Sequence, residues 1–356
     1  MRELAIEMSA TSGGRIVLGV VSLDRFPDSF PNIFIRHAEV LRWADTAFLA
    51  SFHEPGVIFE QISFVWMLPQ HSVRSLQILL PFFPTGTMER VVRLGEVATA
   101  KTLARLVSAT PLTQRGPPHV LMLDLHTLQN QFYFEDSVIP LLHTATGLLL
   151  RELRARSDIE RVSICFPDDG AHKRFGTLFP GFPQIVCAKV RHPDGHSKLV
   201  TVKDGDCAGR HVVIIDDLIH SGGTMLQCVK ACHAAGADKI SAFCTHAVFE
   251  NQAWRRFTAP FEAAAVSPAA APAVAVVSAV APVVGAGAGA VADAAAAAVE
   301  DVAAAPVVSS GTGAELLDTF YITNSHPMSA ELRTRRPFKV LSIAPVLQEA
   351  IFEYSA

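Results

Sequence analysis

Val212-Val213-Ile214-Ile215-Asp216-Asp217-Leu218-Ile219-His220-Ser221-Gly222-Gly223-Thr224 is the stretch from which the fold can be read. Val212 to Ile215 are four β-prone apolar residues in succession, the pattern of a strand buried on both faces. Two carboxylates, Asp216 and Asp217, then emerge at its C-terminal end, where they could hold ribose hydroxyls or a magnesium ion. His220 follows, and Ser221-Gly222-Gly223-Thr224 opens a helical pattern. The glycines let backbone N–H groups approach an anion closely, the hydroxyls add donors, and the helix N-terminus supplies positive potential. The expectation is a phosphate cradle beside an acidic pair. It is not a Walker A loop, because no Gly-Lys-Ser/Thr ending is present. The plainer alternative is a buried strand ending in a capped turn, its acids facing solvent.

Working outward, short apolar runs alternate with longer helical patterns, as a parallel α/β architecture requires. The predicted strands are 16–20, 46–50, 76–80, 120–123, 162–165, 184–189, 212–215 and 240–245, with late strands over 320–325 and 337–342. Helical patterns cover 59–68, 97–108, 140–154 and 224–234. The alternation restarts near residue 150. This gives two doubly wound domains with mostly parallel sheets, 1–148 and 149–258 plus 314–356, whose ligands would gather at the C-terminal ends of the strands. Between the two parts of the second domain, 259–313 is a low-complexity insertion.

That insertion explains a misleading composition. The chain has 356 residues, 30 basic and 34 acidic, so it is no polybasic nucleic-acid binder. Half the residues are hydrophobic and mean hydropathy is +0.30, values that would suit a membrane protein if evenly spread. They are not: within positions 263–310, 34 of 48 residues are Ala or Val. The uncharged window from Ala263 to Ala292 is long enough to span a bilayer, but it contains Pro268, Pro272 and Pro282 and lacks Leu, Ile and interfacial aromatics. Its small side chains bury little area to offset ordering entropy, so it reads as a disordered loop insertion and no membrane partner is expected. The six cysteines form no C-x-x-C pair and read as reduced thiols. Cys228 and Cys232 would share a helix face, but with no second ligand pair in view burial is the favoured reading over a metal site. Met1-Arg2-Glu3-Leu4-Ala5-Ile6-Glu7 resembles neither a secretory signal nor a transit peptide, so the expected compartment is cytoplasmic.

Two adjacent acids followed shortly by Ser-Gly-Gly-Thr resemble the ribose-5-phosphate loop of the type I phosphoribosyltransferase fold. An upstream α/β half of similar size makes the chain similar to the ribose-phosphate pyrophosphokinases, and most similar to their plant-type, class II branch. The motifs that carry this resemblance are Phe48-Leu49-Ala50-Ser51-Phe52, Pro55-Gly56-Val57-Ile58-Phe59-Glu60-Gln61, Leu80-Pro81-Phe82-Phe83-Pro84-Thr85-Gly86-Thr87, and Phe166-Pro167-Asp168-Asp169-Gly170-Ala171-His172-Lys173-Arg174-Phe175. The resemblance implies transfer of the β,γ-pyrophosphoryl group of ATP to O1 of ribose 5-phosphate with magnesium, giving phosphoribosyl pyrophosphate and AMP. A non-catalytic regulatory paralogue and a base-using type I phosphoribosyltransferase are the alternatives.

Such a transfer spreads negative charge over several oxygens, so the site needs metal and cations more than a covalent nucleophile. Lys189 and Arg191 end an apolar strand at a two-residue spacing and match the Lys-x-Arg of the family's catalytic loop. Asp124-Leu125-His126 matches an Asp-x-His in which the histidine helps hold magnesium-ATP. The resemblance makes Asp168, Asp169, Gly170, Lys173 and Arg174 the pyrophosphate loop, with Arg174 pairing phosphate oxygens. His126, Asp168, Asp216 and Asp217 are the implied metal ligands. Phe26-Pro27-Asp28 resembles the Phe-x-Asp that contributes to adenine binding, often from a neighbouring subunit, so a homo-oligomer with its ATP site near a subunit interface is implied. Where many members have Arg-Gln-Asp, this chain has Thr87-Met88-Glu89 followed by Arg90. Plant-type members share that departure, which implies weaker phosphate dependence and looser nucleotide choice.

Overall fold

The two-residue period of a strand sorts Val213 and Ile215 to one face and Val212 and Ile214 to the other, and all four are buried in two different core clusters. The computed structural model describes residues 1–191, 198–258 and 316–354, with the backbone alone at Val190, Arg191 and Lys198. The disorder expected of 259–313 therefore falls outside the described residues.

Helix α1 (Arg2–Thr11) precedes an antiparallel hairpin of β1 (Val20–Arg25) and β2 (Pro31–Arg36). A first main sheet follows from β3 (Asp45–Leu49), β4 (Ser75–Leu80), β5 (His119–Leu123) and β6 (Ile139–His143), parallel and in that spatial order. Helices α2 (Pro55–Met67) and α3 (Thr99–Ser108) make its first two crossovers, and α4 (Thr146–Arg154) leads out of it. The second sheet is built from β7 (Val162–Phe166), β8 (Gln184–Arg191), β9 (Lys198–Asp204), β10 (His211–Ile219), β11 (Lys239–Ala247), β12 (Thr319–Thr323) and β13 (Phe338–Leu341). Its order is β13-β12-β11-β10-β7-β8-β9, parallel except for the antiparallel β8–β9 pair. Helices α5 (Asp169–Phe175), α6 (Gly223–Ala234), α7 (Ser329–Leu332) and α8 (Ala344–Glu353) accompany it.

Three apolar layers hold these parts. Ile78, Leu80, Val120 and Met122 pack against Ile62 and Val65 of α2 and Leu103 and Val107 of α3. Val212 and Ile214 pack against Met225 and Val229 of α6. The inner faces of both sheets share the third layer: Leu79, Leu121 and Leu123 meet Ile164, Val213 and Ile215 together with Leu149 of α4, Leu347 of α8 and Leu4 of α1.

Three expectations need correction. The helix predicted over 140–154 is a strand and a shorter helix, β6 and α4. The N–H of Ile139 donates to the Pro118 carbonyl at 2.8 Å, so the nitrogen of Pro140 faces the open edge, where a missing N–H costs nothing. The first strand, expected over 16–20, is instead β1 of a hairpin. The strand expected to stop at Ile215 continues to Ile219, with Asp216 opposite Cys244 and Leu218 opposite His246, so the acidic pair sits within the sheet.

A polar seam joins the strand ends of the two sheets. Asp124, just past β5, is buried and accepts from the Ala145 N–H at 2.9 Å and from the Thr245 hydroxyl of β11 at 2.6 Å. His246 reaches back through Nε2 to the Leu123 carbonyl at 2.9 Å, and its Nδ1 lies 2.9 Å from the Ser325 hydroxyl. Thr245→Val keeps the shape and removes the donor to a buried carboxylate, so it should lower stability by about 1–3 kcal/mol. A denaturant midpoint equal to that of the unaltered chain would show that the seam contributes nothing.

Candidate active site

Parity along β10 places Asp217 on the side of Val213 and Ile215, facing the first sheet. Its carboxylate accepts from His126 Nδ1 at 2.7 Å and lies 3.2 Å from Arg174 Nη1. The same Arg174 nitrogen donates to the His126 carbonyl at 3.1 Å, closing a triangle between the strand ends and α5. Burial pushes the Asp217 carboxyl up, but the His126 hydrogen bond and the Arg174 guanidinium prevail and hold it below the usual carboxylate range. The hydrogen bond to Asp217 in turn raises His126 above the ordinary histidine value. Asp216 has no such partner. Burial holds its carboxyl well above the usual range, and the charges of Asp217 and then Asp168 push the same way.

Arg174 Nη2 is buried and without a hydrogen-bond partner among the described residues. Such a group needs an explanation. An anion oxygen arriving beside Nη1 would satisfy it in the forked geometry that guanidinium favours.

The turn from β7 into α5 carries the second acidic group. Asp168 caps α5, accepting from the Ala171 N–H at 3.0 Å. A Cβ on Gly170 would stand 3.1 Å from the Asp168 carboxylate, so glycine keeps the approach open. Lys189 on β8 reaches to 4.0 Å of Asp168, and Lys203 on β9 holds Asp169 at 2.8 Å. Lys173 is exposed on α5. Arg191 lies at the end of β8, opposite Lys198, and is described in backbone alone. Lys189 and Arg191 thus stand on a β8–β9 hairpin, whose second strand the sequence reading missed.

The segment expected to form a phosphate cradle lies in the turn that leads into α6. Gly222 has φ +71°, and an added Cβ would lie 2.7 Å from the ring of the buried Phe257. Two independent constraints therefore demand glycine there. Arg256 donates to the Ser221 carbonyl at 3.1 Å, and His220 pairs with Glu250 at 2.8 Å. Gly223 and Thr224 begin the helix, leaving first-turn N–H groups for an anion. Arg256, Glu250 and Phe257 support the cradle from more than 25 residues away, and no local signal announces them.

The remaining site residues form separate groups. Phe26 and Asp28 occupy the β1–β2 turn, where Asp28 accepts from the Phe30 N–H at 3.1 Å and Phe26 is exposed. Glu89 lies in the connection from β4 to α3. Its carbonyl accepts from the Tyr133 hydroxyl, and its side chain stands 3.5 Å from Arg90. Among the described residues, no hydrogen bond or ion pair joins either group to the Asp217 triangle. Among the described residues no helix is long and apolar enough to cross a membrane.

No protein-family model matches the chain. It is 50% identical over 256 residues to ribose-phosphate pyrophosphokinase 4 of Oryza sativa subsp. japonica, an alignment covering 72% of this chain and 78% of that relative. Ribose-phosphate pyrophosphokinase 4 of Arabidopsis thaliana is 48% identical over 256 residues, covering 72% of this chain and 75% of the relative. The crystal structure of phosphoribosylpyrophosphate synthetase from Mycobacterium smegmatis superposes with a TM-score of 0.69 over 99% of this chain and 94% of that one, at 20% identity, which shows a common fold. Identity of this extent to plant enzymes, over most of their length and on that fold, places the chain in the ribose-phosphate pyrophosphokinase family, in its plant-type branch.

Proposed function

We propose that this chain moves the β,γ-pyrophosphoryl group of ATP to O1 of ribose 5-phosphate. The O1–Pβ bond forms, the bond from Pβ to the AMP oxygen breaks, and the O1 proton is released. The observation that carries the assignment of residues is the half-used guanidinium of Arg174, tied through Nη1 and bare at Nη2. In this reading Ser221, Gly222, Gly223 and Thr224 bind the 5-phosphate, with His220 at the rim and Asp216 on the ribose hydroxyls. Arg174, with Asp168, Asp169, Gly170 and Lys173, receives the pyrophosphoryl oxygens. Lys189 and Arg191 neutralise charge that builds on the transferring group. Phe26, Asp28, Glu89 and Arg90 serve the nucleotide beside His126.

The acids fit a magnesium ion: Asp168 and Asp216 are hard oxygen donors, and the Asp216 carboxyl, raised first by burial and then by the neighbouring Asp217 and Asp168 charges, is one that a cation would favour in its ionised form. Asp217 and His126, the other two ligand candidates, are tied to each other and would have to part to serve. When bound, magnesium would draw charge from the phosphate oxygens. We further read the chain as two phosphoribosyltransferase-like halves, 1–148 and 149–258 with 314–356, carrying the 259–313 insertion, and as a cytoplasmic homo-oligomer. Six free, buried cysteines suit a reducing compartment. Exposed Phe30, Phe34 and Phe59 along a groove of about 760 Å³ suit contact with a second copy beside the Phe26 turn.

The central test is AMP formation with and without ribose 5-phosphate, across ATP, GTP and CTP. AMP should appear only with the sugar phosphate, and Lys189→Ala should lower turnover by about 100-fold or more. Folded protein that makes no AMP under any nucleotide, metal or phosphate condition would overturn the assignment.

Gly222→Ala should raise KM for ribose 5-phosphate at least tenfold while the chain stays folded, because the Phe257 ring and a positive φ both resist a Cβ. An unchanged KM would separate the loop from phosphate binding.

The His126–Asp217 pair has a definite pH signature. Because folding raises the His126 pKa, the pair's stabilisation is complete below the ordinary histidine value and is lost as pH rises through the raised one. A neutral imidazole, free to leave Asp217 for nucleotide or metal, forms only above that raised value. Turnover should therefore climb with pH across this interval. Asp217→Asn should shift the imidazole titration, followed by NMR, to lower pH; an unmoved titration would refute the coupling.

A further inference from the structure

Cys228 and Cys232 share a face of α6, and the sequence offers them no second ligand pair. The folded chain supplies one. Cys165 on β7 is paired in register with Ile185 on β8, so Cys187, two residues along, projects from the same face of the sheet toward the same helix. Cys165 Sγ lies 3.6 Å from Cys187 Sγ and 3.7 Å from Cys232 Sγ, and the three sulfurs lie within 4.8 Å of one another. Cys228 adjoins Cys187, and Cys207, from the loop between β9 and β10, adjoins Cys232. Three sulfurs thus meet at one point, with Cys207 and Cys228 in the same buried cluster, and the five come from four separate parts of the second sheet and its helix.

Packing alone needs small apolar side chains there, which Ala and Val provide as well as Cys. It does not need three sulfurs within 4.8 Å of one another. The spacing also has a chemical meaning. A metal with about 2.3 Å bonds to thiolates sets their sulfurs about 3.8–4.0 Å apart in tetrahedral or trigonal geometry, whereas a disulfide needs about 2.05 Å. The observed 3.6 and 3.7 Å, which are also ordinary sulfur–sulfur contact distances, are close to the span of a shared ion and far from a bond.

We propose that Cys165, Cys187 and Cys232 ligate one thiophilic d10 ion, zinc(II) or copper(I), inside the core of the second sheet. Three S–H protons leave as three metal–sulfur bonds form, and no electrons are transferred. Cys207 and Cys228 keep their protons and donate S–H to the thiolates, easing the burial of their charge. The site is chemically distinct from the Asp168–Asp216 carboxylates, whose oxygen donors suit magnesium. Its ligands sit just behind working parts of the active site: Cys165 is three residues before Asp168, Cys187 two before Lys189, and Cys232 lies on the helix that starts at the cradle. The ion would clamp these three elements together.

Elemental analysis of the full-length protein, purified without chelator and then dialysed against EDTA, should find about one zinc or copper per chain, the ratio deciding between the two ions. Refolding with cobalt(II) should produce a thiolate-to-cobalt charge-transfer band. Cys187→Ser and Cys232→Ser should lose both signals, while Cys244→Ala, outside the cluster, should keep them. X-ray absorption on the unaltered protein avoids any folding defect of the variants and should show a shell of sulfur alone. A chain free of both metals that also gives no cobalt band would overturn the proposal, as would a shell of oxygen or nitrogen, or metal retained in the two serine variants.

Discussion

Asp124 places a carboxylate in the protein interior where two sheets must be registered against each other, so its hydrogen bonds constrain the strand ends around it. An unpaired carboxylate there would be expensive. The Ala145 N–H from its own side and the Thr245 hydroxyl from the other sheet satisfy it only in one relative position. Two residues further on, His126 is carried to Asp217, and Arg174 bridges both. The apolar layer shared by Leu79, Leu121, Val213 and Ile215 supplies cohesion, but apolar contact is non-directional. The polar seam supplies the register.

That register yields a site in which acids and cations are interleaved. Asp217 lies between His126 and Arg174, Asp168 faces Lys189, and Asp169 holds Lys203. Pyrophosphoryl transfer brings in two highly charged phosphate groups, and these pairs can be exchanged for contacts with substrate oxygens without burying an isolated charge. Asp216, lacking a cation of its own, stands apart. Rigid strands β7, β8 and β10 present these groups, while glycines at 170 and 222 give the backbone the approach that side chains would block.

The fold was legible where one element carries its own signal. Val212 to Ile215 spell a buried strand because β-branched residues run unbroken, and Ser221 to Thr224 spell the start of a helix at a glycine turn. The signal failed at 140–154, where Leu141, Leu142 and Leu148 to Leu150 suit either a helix or a strand and only the edge position of β6 makes Pro140 acceptable. It also failed for β9, whose pairing with β8 is a long-range fact. At the site, the charged residues were visible in the sequence, but their partners were not. Thr245, His246, Glu250 and Phe257 are ordinary residues until folding brings them to Asp124, Leu123, His220 and Gly222.

The sequence by itself therefore determined the strand-and-helix alternation, the glycine turn before α6 and the family, because each rests on local spacing and residue type. Tertiary structure alone decided which carboxylate is held between cations and which has none, how β5 meets β10 and β11, and that three thiols share one point in the core. Those outcomes depend on distances between residues tens to more than a hundred positions apart, set by packing and by the satisfaction of buried polar groups, which no local window contains.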